Sequence, residues 1–228
     1  MSESAPNKAS SKKKAPAKPV RLEEKFAKLG LRSDMDFVLH LPMRYEDETE
    51  IVSMRDAGFR GGSSVQVEGE VTECDIQYRP RRQLVVTISD GTGQVVLRFL
   101  NFYGSQTKQL EAARDSGRPL RLFGEIRQGF LGPEMVHPRY RVVDADAPLP
   151  TVLTPVYPTT AGVSQAALRK LIVTALHDTD LTDHFDDAWR ERFGLSAFAE
   201  AVRYLHAPPP GAPLGVLSSR EHPAWRRI

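Results

Sequence analysis

A change in hydrophobic period near residue 60 limits the folds open to this 228-residue chain. Before it, Leu22, Phe26 and Leu29 recur at helical spacing. From Val65 onward, apolar and polar residues alternate, which is typical of a β-strand with one buried face. Glycines cluster between the two patterns, at 58–62. We therefore predict a short helical segment followed by a β module.

Four further strand patterns follow the first one, and turn residues separate them. They cover 84–88, 94–102, 120–126 and 136–142, with a helix-length stretch at 104–115 between the third strand and the fourth. Five strands with a helix in that position have the order of an OB-fold, a partly open Greek-key barrel. We predict a mainly β fold with flanking helices, built on such a barrel, although the pattern also fits other small barrels.

Composition divides the chain into four parts. Residues 1–19, rich in Ser, Ala, Lys and Pro, are predicted to be a disordered basic tail because they have little apolar surface to bury. Residues 20–62 are predicted to be a helical N-terminal segment and residues 63–143 the barrel. Residues 144–228 are predicted to be a proline-rich connector with helices that begin at Ser164 and near Ser196.

Composition and charge also bear on location and partners. The net charge is only +2, with the basic excess in residues 1–19 and 63–143. The sequence has neither a membrane-length apolar run nor the apolar core of a secretory signal. The single cysteine, Cys74, cannot form an internal disulfide and is predicted to be a buried strand thiol. These features predict a cytoplasmic protein that makes no membrane contact.

The sequence contains no recognisable catalytic constellation. A phosphate-binding P-loop needs a Gly-Lys pair, and none occurs in this sequence. Asp47 and Glu48 are predicted to lie in a solvated turn, and the acidic stretch 183–187 is interpreted as an interhelical loop rather than a metal site. We therefore predict no cofactor and no metal for this chain, and leave open whether it is an enzyme.

Basic and aromatic residues form the positive signal. The candidates are Tyr78, Arg79, Arg81 and Arg82 in the loop after the first strand, and Arg98, Phe99, Phe102 and Tyr103 on or just after the third strand. The two regions lie near each other in an OB-fold, where arginines neutralise phosphates and rings stack on bases. Two interpretations stay open: at least one of Phe99 and Phe102 belongs to the core, and the arginine loop could be a solvated hairpin.

Several strings resemble the RecG family of ATP-dependent DNA helicases. In family order they are LHLPMRYED at 39–47, ISDGTG at 88–93, RFLNF at 98–102, MVHPRY at 135–140, LTPVYPTT at 153–160, LRKL at 168–171, LHAPPP at 205–210 and HPAWRR at 222–227. The resemblance implies that residues 63–143 are the wedge domain, which sits at a branched DNA junction and helps split its arms. It also implies that ATP and magnesium belong to motor domains that follow where this sequence ends.

The resemblance sets the expected partners. The position before Asn101 is usually a base-stacking aromatic in the family, but here it is Leu100, which joins the candidate DNA-binding residues. We expect binding to forks, Holliday junctions and single-stranded DNA without unwinding. The alternative is an OB-fold adaptor that docks the tail of single-stranded DNA-binding protein, and an RNA-binding OB module ranks below both.

Overall fold

The computed structural model describes residues 22–144 and 146–228, so the predicted tail, 1–19, lies outside the described residues. Helices are α1 (Leu22–Lys28), α2 (Asp34–Val38), α3 (Met54–Gly58), α4 (Gly104–Ser116), α5 (Gln165–Asp178), α6 (Asp187–Phe193), α7 (Phe198–His206), α8 (Leu214–Ser218) and α9 (Pro223–Arg227). Strands are β1 (Arg44–Glu46), β2 (Ser64–Gln77), β3 (Gln83–Ser89), β4 (Gln94–Phe99), β5 (Leu120–Gly129), β6 (Gly132–Val136), β7 (Arg139–Val142) and β8 (Thr154–Val156). Within the described residues, no helix is both long and apolar enough to cross a membrane.

The strands from β2 to β6 close into a barrel. The first half of β2 pairs with β5 and its second half pairs with β3. The ring continues through antiparallel β3–β4, parallel β4–β6 and antiparallel β6–β5 pairs. The predicted fold class, mainly β with flanking helices on an OB-type barrel, is confirmed.

One predicted strand is two strands in the structure. The stretch 136–142 was expected to be a single fifth strand, but it breaks between β6 and β7. His137 has a positive φ of 50°, and Pro138 has no N–H to continue the pairing. Because β6 starts at Gly132, it forms a hairpin with β5 that the sequence analysis did not predict.

Gly69 lies where β2 changes partner, at the end of its pairing with β5. A Cβ there would lie 2.5 Å from the Ser89 carbonyl oxygen and 2.5 Å from the Met54 side chain. Met54 belongs to α3, whose first N–H donates to the Asp90 carboxylate. The missing side chain therefore lets β3 and α3 both approach the bend in β2.

The barrel interior is a continuous apolar cluster. Every barrel strand contributes to it, α4 adds Leu110 and Ala113, and α3 adds Met54 and Ala57. Cys74 is part of this cluster, as predicted, and burial raises the pKa of its thiol. Since residues of 20–62 pack into the barrel core, the N-terminal segment supports the barrel directly. The four-part division of the chain itself stays a prediction.

The N-terminal segment and the connector pack together into a second layer, which we call the flanking layer. β1 pairs with β8, so the N-terminal segment and the connector share a small sheet. Ser33 caps α2, and Ser164 caps α5 at the helix start that the sequence predicted. The acidic stretch 183–187 lies between two helices as predicted, except that Asp186 caps an unpredicted helix, α6, and Asp187 is its first residue. The N–H groups of Phe185 and Phe198 donate to Asp183 and lower the pKa of its carboxyl to about 2.

Buried charge ties the connector to the barrel. The side chain of Arg121, on β5, donates from Nε to Glu68 at 2.6 Å and from its other nitrogens to the carbonyls of Ala147 and Pro148. Glu48 was predicted to be solvated, but it accepts hydrogen bonds from Arg139 and Thr154. That prediction is wrong because the turn packs against β7 and β8.

Candidate nucleic-acid interface

The β2–β3 loop, residues 78–82, projects from one end of the barrel and is hereafter called the basic loop. It follows the last pair of the β2–β3 ladder, Gln77 with Gln83, and all five of its residues are exposed. Tyr78 is 71% exposed. Within residues 22–144 and 146–228, none of the three arginines forms a salt bridge. Their positive charge is therefore available to a ligand at this end.

The segment after β4 divides into buried and exposed side chains. Phe99 and Phe102 are both buried in the barrel core, and Phe99 meets the Tyr140 ring edge-on. Tyr103 is 82% exposed and occupies the N-cap position of α4. Leu100 is half-buried, and its backbone N–H donates to the Nε2 atom of His137 at 3.2 Å. Both phenylalanines are thus core residues, so the ring surface exposed on this segment belongs to Tyr103.

One contact joins the two predicted regions. The guanidinium carbon of Arg82 lies 4.1 Å from the centroid of the Phe102 ring, within the range of a cation–π interaction. This contact brings the basic loop to the segment after β4, as expected for the fold. Because the buried Phe102 ring already orients Arg82, this side chain loses less conformational entropy when it binds a phosphate.

Arg98 has a different environment from the loop arginines. Its Nε donates to the Glu134 carboxylate at 2.7 Å, and both side chains are largely buried between β4 and β6. The pair neutralises the positive charge across the strands. The predicted role of Arg98 at DNA stays a prediction, but its charge already has a partner in this structure.

The structure exposes a second apolar site that the sequence analysis did not select. The two residues between β5 and β6, Phe130 and Leu131, are 97% and 63% exposed, and we call them the hairpin tip. Phe59, just after α3, is 85% exposed. The two flanking glycines, Gly129 and Gly132, are typical of a turn and could have predicted this hairpin. The apolar pair between them did not resemble the polar residues that turns usually contain.

Among the described residues, no group of three or more His, Cys, Asp or Glu side chains is arranged to hold a metal ion. What the basic loop and Tyr103 offer is unpaired positive charge beside exposed aromatic surface. That combination suits phosphates and unstacked bases.

A family model and several RecG helicases match most of this chain. Residues 17–178 match the family model described as RecG wedge domain. The ATP-dependent DNA helicase RecG of Escherichia coli (strain K12) is 42% identical over 91% of this chain, and that of Haemophilus influenzae is 36% identical over 91%. The chain spans 29% of the length of each of these relatives.

A solved structure of RecG bound to a three-way DNA junction has a similar fold. The TM-score is 0.63 and the identity 21%, over 87% of this chain and 27% of that chain. At that identity the match supports the fold alone. The family model covers well over half of the 228 residues, and the barrel described above lies within the matched range. This chain therefore belongs to the RecG wedge domain family.

Proposed function

We propose that this chain binds branched DNA, such as stalled replication forks and Holliday junctions, through the barrel end that carries the basic loop. The observation that supports this proposal is the unpaired charge of Arg79, Arg81 and Arg82 beside the exposed rings of Tyr78 and Tyr103. The RecG relatives are named as ATP-dependent DNA helicases, and the solved RecG structure holds a three-way DNA junction.

The arginines and the tyrosines have different tasks in this proposal. Each guanidinium neutralises a phosphate and releases counterions, so affinity falls steeply as salt rises. Tyr78 and Tyr103 stack on bases that are unpaired at the branch, and each stacked base contributes about 1 to 3 kcal/mol with little sequence preference. Together these contacts hold a branch point by its backbone and its unpaired bases.

The sequence lacks the Gly-Lys pair of a phosphate-binding loop, which binds ATP and magnesium in many ATPases. In this proposal they act in the larger part of a RecG protein that the chain does not span. Binding without unwinding is therefore the expected behaviour of the chain by itself. The cytoplasmic location predicted from the sequence is part of the same proposal.

The test is fluorescence anisotropy with a labelled fork, a linear duplex and a single strand, each over a salt series. The variant Arg79→Ala/Arg81→Ala/Arg82→Ala should weaken fork binding at least tenfold and reduce the slope of log affinity against log salt by about two to three, because each arginine contacts one phosphate. A matched control, Arg32→Ala/Arg203→Ala/Arg226→Ala, removes the same charge from exposed positions in the flanking layer and should bind like wild type. Equal binding by the loop variant and wild type would refute the proposal.

Aromatic variants separate stacking from folding. Tyr103→Ala should weaken fork binding several-fold and leave the melting temperature unchanged, because the ring is exposed. Phe102→Ala removes a buried ring and should cost about 3 kcal/mol of unfolding free energy. If Tyr103→Ala leaves binding unchanged, this ring does not stack on DNA.

A docking adaptor is the second candidate, because unpaired arginines also attract an acidic peptide such as the tail of single-stranded DNA-binding protein. The loop variant would weaken both ligands. Tyr103→Ala distinguishes them, since base stacking needs the ring and a charge-driven peptide contact does not. The RecG relatives favour DNA as the main ligand.

A further inference from the structure

His137 lies at the break between β6 and β7, and contacts on both sides hold its backbone in place. Its N–H donates to the carbonyl of Arg98 at 2.9 Å, which extends the parallel β4–β6 pairing by one residue. The next residue, Pro138, is buried, and a Cβ on Gly124 of β5 would lie 3.2 Å from its Cβ. The backbone at residue 137 is therefore fixed relative to β4 and β5.

The imidazole of His137 contacts the end of β4. It meets the Phe99 ring edge-on, with the two centroids 6.1 Å apart, and its Nε2 atom accepts the backbone N–H of Leu100 at 3.2 Å. Because a backbone amide nitrogen only donates, Nε2 carries no hydrogen, and the neutral ring has its hydrogen on Nδ1. His137 therefore acts as a hydrogen-bond acceptor for the chain just after β4.

The backbone that His137 holds leads directly to two side chains of the candidate DNA site. The bond at Leu100 lies two residues before Phe102, whose buried ring has the Arg82 guanidinium 4.1 Å from its centroid. Tyr103 follows, with its exposed ring at the N-cap position of α4. A shift of the backbone at Leu100 would therefore move both Arg82 and Tyr103.

Resting on the proposed function, we propose that His137 is a positioning residue for DNA binding. By accepting the Leu100 N–H, it sets the path of residues 100–103 and so places Tyr103 and Arg82 for contact with the branched DNA. The left-handed φ of 50° at His137 supports this role, because the chain adopts a costly conformation where the ring is directed at β4.

Two variants of similar length separate the acceptor from the rest of the side chain. Gln and Met are both unbranched at Cβ, so they have a similar cost at the positive φ, but only Gln offers an oxygen near the place of Nε2. His137→Met should weaken fork binding about fivefold in the anisotropy assay at fixed salt, whereas His137→Gln should stay within about twofold of wild type. His177→Met, the same change at an exposed histidine of α5, is the control and should bind like wild type.

Thermal unfolding and hydrogen exchange of the free protein test the bond without DNA. The two variants at residue 137 should melt at closely similar temperatures, because the bond that distinguishes them is exposed. The Leu100 amide should exchange slowly in wild type and in His137→Gln, and at least about fivefold faster in His137→Met. Equal exchange in all three proteins would overturn the acceptor role of His137.

A double-mutant cycle distinguishes positioning from a direct contact, since His137 is exposed and could itself meet DNA. The cycle combines His137→Met with Arg82→Ala/Tyr103→Ala, at a salt concentration where both backgrounds bind the fork. In the background that lacks both positioned groups, His137→Met should cost less than about twofold. A full fivefold loss in that background would mean that the imidazole contacts DNA directly, and the positioning role would be wrong.

The outcomes also separate this inference from the proposed function. If His137→Met binds the fork like wild type while the basic-loop variant loses affinity, the positioning role is refuted and the DNA-binding proposal stands. Equal weakening by His137→Met and His137→Gln would likewise refute the acceptor role alone. If wild type shows no salt-dependent affinity for any DNA, the proposed function fails and the positioning role fails with it.

Discussion

Protonation of His206 should destabilise the flanking layer as the pH falls. The imidazole is buried between the N-terminal segment and the connector. Its Nδ1 accepts the hydroxyl hydrogen of Tyr157 at 2.8 Å, and its Nε2–H donates to the carbonyl of Val38 at 2.8 Å. Both bonds are satisfied by one neutral tautomer. Burial is the main reason that the pKa of His206 falls to about 4, and the nearby His40 lowers it further.

The direction and the magnitude of this pH effect follow from the linkage between proton binding and folding. The unfolded histidine takes up a proton near pH 6.5, whereas the folded one does so near pH 4, so the unfolded state binds more protons between these values. The stabilisation is complete above pH 6.5 and is lost as the pH falls towards 4. A difference of about 2.5 pKa units corresponds to about 3 kcal/mol of unfolding free energy.

Urea denaturation at pH 7.5 and pH 4.5 measures this effect. His206→Gln should be less stable than wild type at pH 7.5 but should lose much less stability on acidification, because the titrating group is gone. His177→Gln, which removes an exposed histidine on α5, should lose as much as wild type. Asp183, whose pKa is about 2, titrates below this window and is common to all three proteins. Equal losses for wild type and His206→Gln would show that His206 does not carry the pH dependence.

Two further substitutions test the fold. Gly69→Ala places a Cβ 2.5 Å from the Ser89 carbonyl oxygen and should cost about 2 kcal/mol or more in urea denaturation, whereas Gly61→Ala, with open space around it, should be nearly neutral. A neutral Gly69→Ala would mean that β3 can move away from the bend. Arg121→Met leaves the Glu68 carboxylate without its partner and should lower stability by about 3 kcal/mol, and Glu68→Leu in addition should restore most of the loss in thermal unfolding. Failure of the second substitution to restore stability would assign the loss to the released carbonyls of Ala147 and Pro148.

The sequence predicted the first half of the barrel better than the second half. β2, β3 and α4 lie where alternation and glycine turns placed them, because each is a regular element with one buried face. β4 begins at Gln94 as predicted but ends at Phe99 rather than at residue 102. The stretch 120–142 is harder, since the break at His137 and Pro138 depends on a backbone conformation and the hairpin tip has no polar turn residues. Helix α6 was missed because none of its side chains is buried, which leaves no core-facing pattern.

The candidate DNA site shows why alternation cannot identify the stacking residue. β4 ends at Phe99, and beyond it the chain turns into α4, so alternation no longer predicts which side chains face inward. Phe102 turns into the core and Arg82 covers its ring, while Tyr103 points outward. Leu100 is half-buried, and the bond from its N–H to His137 fixes its backbone. The exposed rings at this end are those of Tyr78 and Tyr103, so a base that stacks here is expected to meet a tyrosine rather than the residue at position 100.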